Sequence, residues 1–345
     1  MDHSPIISPD SLKMLFPVSS AKAQFIAECR HTVKRIITGK DPRKAIVVGP
    51  CSIHDKASAL EYAARFKMLA ESVKKTCFLV MRVYLEKPRT TTGWKGMIYD
   101  PHLDGSHDIQ TGLLWAREIL DLLSAMGVPA ATEFVDPLIA PYVEDLITWG
   151  FIGARTSASQ PHRQFASLLT MPIGFKNGTD GNIDDAVRGV ISARTPHAFM
   201  KINGQGSLCA VQSEGNPFTH VVLRGSEQMP NYDKEAICEA LKQLERAHLQ
   251  PRLMIDCAHG NSQKRWENQR GVFESVLEQM KSGNHQIFGW MLESHLENGN
   301  QVLREDPSLL QYAVSITDPC IDWSLTEELV YSADISFTDY SSSSV

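Results

Sequence analysis

Eight short apolar runs, separated for the most part by helical stretches, constrain this chain more than any other feature. They are AIVVG (45–49), CFLVMRVY (77–84), VPAATEF (128–134), FIGART (151–156), PIGFK (172–176), HVVLR (220–224), LMIDCAH (253–259) and IFGWMLES (287–294). Between them, stretches such as Gly112 to Met126 and Val272 to Met280 repeat apolar residues at helical spacing. Strands alternating with helices call for a parallel sheet. Eight such units in 345 residues fit an α/β fold of the (β/α)8 barrel type, which takes roughly 250 residues plus insertions. An open doubly wound sheet is the rival arrangement.

Three segments fall outside this rhythm. Residues 1–18 are polar and carry three prolines, which suits an arm rather than core. From Ser20 to Thr38 the spacing predicts a helix, with Gly39 as its C-terminal cap. FMKINGQGSLCAVQ places Asn203-Gly204 between two alternating runs, the pattern of a β-hairpin inserted near 198–219. The division is therefore an N-terminal arm and helix at 1–40, a catalytic barrel at 41–335, and a tail at 336–345 that reads as disordered.

Composition matters mainly for what it excludes. A formal charge of −6 argues against nucleic acid or an anionic membrane as partner of the whole surface. No window approaches the roughly 18 apolar residues of a membrane span, and MDHSPIISPD has neither a basic region nor an apolar core. Seven scattered cysteines without a C-x-x-C pair fit free thiols in a reducing cytoplasm.

Charged residues nevertheless recur at one place, the C-terminal end of each run. These are Arg82 with Lys87, Glu133, Arg155, Lys176, Arg224, Asp256 and Glu293. In a barrel these ends converge on the face that holds the active site. Cations aimed at one mouth repel one another unless an anion sits among them, and phosphate suits Arg and Lys donors. Cys51, His259 and Glu293 also close neighbouring units of such a barrel, and with Asp318 they form a thiol, imidazole and two-carboxylate set. That set suits one divalent ion among Mn²⁺, Fe²⁺, Co²⁺ and Zn²⁺. A buried cysteine and a hydrogen-bonded histidine explain the same residues without a metal. His162 and His295 read as structural or exposed, Gly178 to Asn182 as a turn or backbone ligand contact, and Ser324 with Glu327 as a helix capping box.

GPCSIHD, RVYLEKPRTTTGWKG, DPHLDG, ATEF, GART, GFKNGTDG, DCAHGNSQK, ESHL and SITDPCIDW together resemble the microbial type I 3-deoxy-D-arabino-heptulosonate-7-phosphate (DAHP) synthases, nearly in register from about residue 20 to Glu328. The resemblance implies a (β/α)8 barrel that condenses phosphoenolpyruvate with erythrose 4-phosphate, the entry step of aromatic amino-acid biosynthesis. It implies a metal on Cys51, His259, Glu293 and Asp318. It implies a phosphoenolpyruvate site on Arg82, Lys87, Arg155, Lys176 and Arg224, with Glu133 and the Gly153-Ala154 backbone alongside, and Arg89 and Thr90 on the phosphate of erythrose 4-phosphate. In the mechanism that follows, Lys87 transfers a proton, Glu133 orients water, and His259 binds metal as a neutral imidazole.

The family is commonly a homodimer or homotetramer, and many members answer to an aromatic amino acid held by the arm, the third loop and the hairpin. Here Val135 to Pro141 and Thr170-Met171 depart from the familiar residues of that region, which predicts weak or altered feedback. Two rival functions are a sister enzyme using another phosphosugar aldehyde, such as arabinose 5-phosphate, and a non-catalytic amino-acid sensor.

Overall fold

The structure, a computed structural model, describes residues 5–342. Eight parallel strands close into a barrel in chain order. They are β1 (Lys44–Gly49), β2 (Cys77–Arg82), β3 (Ala130–Glu133), β4 (Trp149–Ile152), β5 (Ile173–Lys176), β8 (Thr219–Leu223), β9 (Leu253–Asp256) and β10 (Ile287–Glu293). The first strand meets the last, with Gly49 opposite Glu293, so the open-sheet alternative does not hold. All eight apolar runs are barrel strands. Run four is displaced: β4 starts at Trp149 and stops at Ile152, leaving Arg155 in the loop beyond it.

The strands are apolar throughout because each faces two cores. Along β1, Ala45 and Val47 point into the barrel, where they join Trp149, Phe151, Phe288 and Met291. Ile46 and Val48 point outward to the helical layer. That layer contains α3 (Lys56–Val73), α4 (Ile109–Met126), α6 (Gln160–Leu168), α7 (Asp184–Ala193), α8 (Lys234–Arg246), α9 (Asn268–Lys281) and α10 (Trp323–Ser342), with a single turn, α5 (Ala140–Val143), after β3. The predicted N-terminal helix is α2 (Ser20–Ile37), and Gly39 follows it at φ +73°. Val33, Ile36 and Ile37 of α2 belong to the inner core; the helix therefore stoppers the base of the barrel.

Three expectations need correction. The arm is not purely peripheral: Pro9–Leu15 forms α1, capped by the Ser8 side chain, and Leu12 is fully buried. The segment 336–342 is not a disordered tail, because α10 continues to Ser342; residues 343–345 lie outside the described residues. Helix α10 is capped by Asp322, whose carboxylate accepts from the Leu325 amide at 2.8 Å, and not by a box on Ser324. The hairpin stands as expected, pairing β6 (His197–Ile202) with β7 (Leu208–Ser213). All seven cysteines are free. No helix of the described residues is long and apolar enough to cross a membrane.

Two buried histidines give the fold an acid limit. His220, inside the barrel against Trp149 and Phe288, is pushed down to about 3 by burial. His295 is likewise pushed down to about 3, by burial and then by His54. Unfolded histidines take up protons below about 6.5, and the folded ones do not. Stability is therefore lost as pH falls from about 6.5 towards 3, by up to about 1.4 kcal/mol per pH unit for each ring. Urea midpoints at pH 7 and pH 5 are expected to converge partly in His220→Phe; an unchanged difference counts against this assignment.

Candidate active site

The strand C-termini assemble the charged residues at one mouth. Arg82, Glu133, Lys176, Asp256 and Glu293 are the last residues of their strands. Cys51, Arg155 and Arg224 follow one to three residues later, in the loops. A cleft of about 240 Å³ opens among them, lined on one wall by Lys87, Arg89 and Thr90 and on the other by Arg155, Lys176 and Arg224. Glu133 and Ala154 also line it. Gly153 backs Glu133 so closely that a Cβ there would lie 2.0 Å from the carboxylate; only glycine leaves the carboxylate in place. Arg155 donates to the Thr90 hydroxyl at 2.9 Å, bridging the two walls.

Arg82 lies beneath the cleft, not on its surface. Its guanidinium is fully buried, stacks 3.5 Å over the Tyr84 ring, and pairs with Glu293 at 2.8 Å. Lys176 pairs with Asp256 at 2.8 Å. Four cations lining the cleft, Arg89, Arg155, Arg224 and Lys264, have no carboxylate within ion-pair distance among the described residues. Arg224 is only 5% exposed, and burial lowers its pKa. A buried guanidinium without an anion is unfavourable, so this wall is built for an anionic ligand.

Below the cations, sulphur and oxygen donors converge. Cys51 Sγ, a Glu293 oxygen and an Asp318 oxygen lie within 4.8 Å of one another. Cys51 to Asp318 measures 3.7 Å, and a Ser52 to Thr317 hydroxyl contact of 2.8 Å holds the two loops together. His259 stands beside this trio, with Nε2 3.5 Å from Glu293 and Nδ1 2.9 Å from the Asp256 carboxylate. A carboxylate on Nδ1 directs the other ring nitrogen to a metal. Cys51 Sγ and the Asp318 oxygen, 3.7 Å apart, have the spacing of two donors each about 2.0–2.3 Å from one ion, and with Glu293 they form a group that can hold a divalent cation.

Burial and the neighbouring charges set the protonation of this group. Burial, then Glu293, pushes the Cys51 thiol up to about 12; it needs a positive charge to become the thiolate that binds metal. Burial alone would depress Lys87, but Cys51, Asp318 and Glu293 outweigh it and hold its ammonium above the ordinary lysine value. Lys87 Nζ is 3.1 Å from Cys51 Sγ. Asp318 is held well below the usual carboxylate range: burial opposes this, but Lys87 and His259 prevail.

Sequence reasoning missed three contributors. Asp256 was visible at a strand end, but not its bridging of Lys176 and His259. Gln269 of α9 clamps the end of β10 through two hydrogen bonds to the Glu293 backbone, at 2.9 and 3.0 Å. Lys264, in the DCAHGNSQK segment, lines the cleft; its place just after His259 was the available signal. His162 and His295 are buried and structural, with His162 bonding Ser159 and the Val135 carbonyl at 2.8 Å each.

The DAHP synthetase I family model matches residues 16–331. The Tyr-sensitive phospho-2-dehydro-3-deoxyheptonate aldolase of Escherichia coli (strain K12) is 49% identical over 329 residues, spanning 95% of this chain and 92% of that one. The Trp-sensitive protein of the same organism is 42% identical over 326 residues, spanning 94% and 93%. The solved structure of phospho-2-dehydro-3-deoxyheptonate aldolase from Francisella tularensis SCHU S4 superposes with a TM-score of 0.94 at 43% identity, covering 97% of each chain.

Proposed function

Because the chain belongs to the DAHP synthetase I family, we propose that its cleft holds both phosphorylated substrates on the cations described, above one divalent cation on Cys51, Glu293, Asp318 and His259. The reaction condenses phosphoenolpyruvate with D-erythrose 4-phosphate and water, giving DAHP and inorganic phosphate in the first step of the shikimate pathway. The observation that carries the assignment of residues is the set of unpaired cations lining the cleft.

Arg155, Lys176 and Arg224 bind the phosphate and carboxylate of phosphoenolpyruvate, with the Gly153-Ala154 backbone alongside. Arg82 supports this site from below, through Glu293. Arg89 and Thr90 hold the phosphate of erythrose 4-phosphate at the outer end. The donor set of sulphur, nitrogen and oxygen suits Mn²⁺, Fe²⁺, Co²⁺ or Zn²⁺. Such an ion supplies Lewis acidity to the aldehyde carbonyl. Carbon 3 of phosphoenolpyruvate attacks the aldehyde carbon while Lys87, beside Cys51, holds a proton for the new hydroxyl. Water, oriented by Glu133, adds at carbon 2, and the phosphate leaves with cleavage of the C–O bond. The buried cations stabilise the phosphate and carboxylate charge throughout.

Phosphate release with phosphoenolpyruvate and erythrose 4-phosphate, before and after exhaustive chelation, tests this reading. Turnover is expected with metal and not without. Unchanged activity after chelation removes the metal's role, and preference for arabinose 5-phosphate favours the sister reaction.

Feedback is proposed to be weak or altered. The arm is stitched to the third loop and the hairpin, by Tyr142 on the Ile7 carbonyl at 2.9 Å and by the Asp10 amide on Gly204 at 2.7 Å. Residues 135–141 and Thr170-Met171 in that region support the departure. Millimolar Phe, Tyr or Trp is expected to leave most of the turnover intact, and strong inhibition by any of the three refutes it. Exposed Met14, Leu15, Met200 and Leu208 on α1 and the hairpin support a homodimer or homotetramer. Seven free thiols support a cytoplasmic setting.

A further inference from the structure

Glu86 is a buried carboxyl that the mechanism does not use. It precedes Lys87, but while Lys87 reaches Cys51, Glu86 turns to the loop after β3. Its two oxygens accept the amides of Val135 at 3.3 Å and Asp136 at 3.1 Å. The Tyr99 hydroxyl lies 3.3 Å from Glu86 and 3.2 Å from the Asp136 carboxylate. Glu86 is 2% exposed, and no cation lies within ion-pair distance of it among the described residues.

Of the two loops joined here, the one after β2 lines the cleft, and the one after β3 follows directly on Glu133, which also lines it. The segment after β2 is rooted immediately around Glu86, with the Lys87 amide on Lys95 at 2.9 Å and the Ile98 amide on Leu85 at 3.3 Å. Its tip carries Arg89 and Thr90. Val135, in the loop after β3, lies two residues beyond Glu133. A displacement of Glu86 therefore moves the wall that carries Arg89 and Thr90 relative to the end of β3.

We propose that Glu86 is a positioning residue for the aldose phosphate, clamping the loop that bears Arg89 and Thr90 against the loop after β3, and releasing it on ionisation. The proposal rests on the reading of Arg89 and Thr90 as the holders of that phosphate. The titratable groups facing Glu86 are Asp136 from the β3 loop and Tyr99 from the segment before α4. Burial first, and then the Asp136 charge, raise its pKa to about 8 against the opposing pull of the Val135 and Asp136 amides and the Tyr99 hydroxyl. Below that pH the Glu86 carboxyl is neutral, and the Tyr99 hydroxyl can donate to Asp136. Above it two negative charges face each other in a poorly solvated space, a repulsion that the two amide hydrogen bonds offset only in part, and the clamp opens.

The test measures KM and kcat for both substrates from pH 6.5 to 9 in wild type, Glu86→Gln, Glu86→Ala and Arg89→Ala, with melting temperatures in parallel. Wild type is expected to show KM for erythrose 4-phosphate rising about tenfold through pH 8, the size of one or two lost hydrogen bonds. KM for phosphoenolpyruvate and kcat change far less. Glu86→Gln, uncharged and of the same size, keeps a low, flat KM; Glu86→Ala has the high value at every pH. A rise retained in Glu86→Gln overturns the proposal. So does wild-type KM in Glu86→Ala while Arg89→Ala raises it. If Arg89→Ala leaves KM unchanged, the underlying phosphate assignment is what fails. Should Glu86→Ala not fold, the Glu86→Gln profile decides alone.

Discussion

Cys51→Ala is expected to abolish turnover while leaving a folded barrel. The side chain is small and fully buried, so its truncation falls in the ordinary range of about 1 kcal/mol of stability. Its chemical loss is far larger. The metal would keep only oxygen donors and an imidazole, and Lys87 would lose the sulphur 3.1 Å away that helps keep its ammonium charged. Loss of a mere outer partner costs about 10–100-fold in metal affinity or activity, and removal of a donor exceeds that. Bound metal per chain after dialysis, together with kcat, checks the point. A Cys51→Ala protein that retains metal and half its activity has another metal site.

The second large effect is expected at Asp256. Its carboxylate is completely buried and touches Lys176 at 2.8 Å and His259 at 2.9 Å. Its pKa lies well below the ordinary carboxylate value: burial opposes this, and the charges of His259 and Lys176 override it. Asp256→Ala leaves the Lys176 ammonium buried and unpaired, a loss of about 3–5 kcal/mol, and unties Nδ1 of His259. Denaturant midpoints and kcat should both fall steeply. Asp256→Asn keeps the shape without the charge and is expected to recover less than half of the stability. Full recovery would show that volume, not charge, holds the site.

The barrel was legible because every strand is buried on both sides, which writes each one as a continuous apolar run. Its mouth was legible for a related reason: a charge at the end of such a run, as at Glu133 or Lys176, has few places to go but the rim. What stayed hidden depends on partners distant in sequence. Nothing around Arg82 says that it lies below the cleft against Glu293, two hundred residues away. Nothing around Glu86, which directly precedes Lys87, says that it turns to the loop after β3 and not towards Cys51. Leu12 looked like part of a polar arm because its neighbours are polar, and its burial comes wholly from packing against other segments.

The residues proposed to hold the metal straddle the seam where the barrel closes, with Cys51 just beyond the first strand, and Glu293 and Asp318 at and after the last. During synthesis the thiol leaves the ribosome some 240 residues before Glu293, its first carboxylate partner. Until then the nascent chain can carry the sulphur but not the ion's coordination shell. On the proposed site, metal uptake would report completion of the ring, and a chelator-resistant signal is expected only in chains long enough to bring both ends of the barrel together.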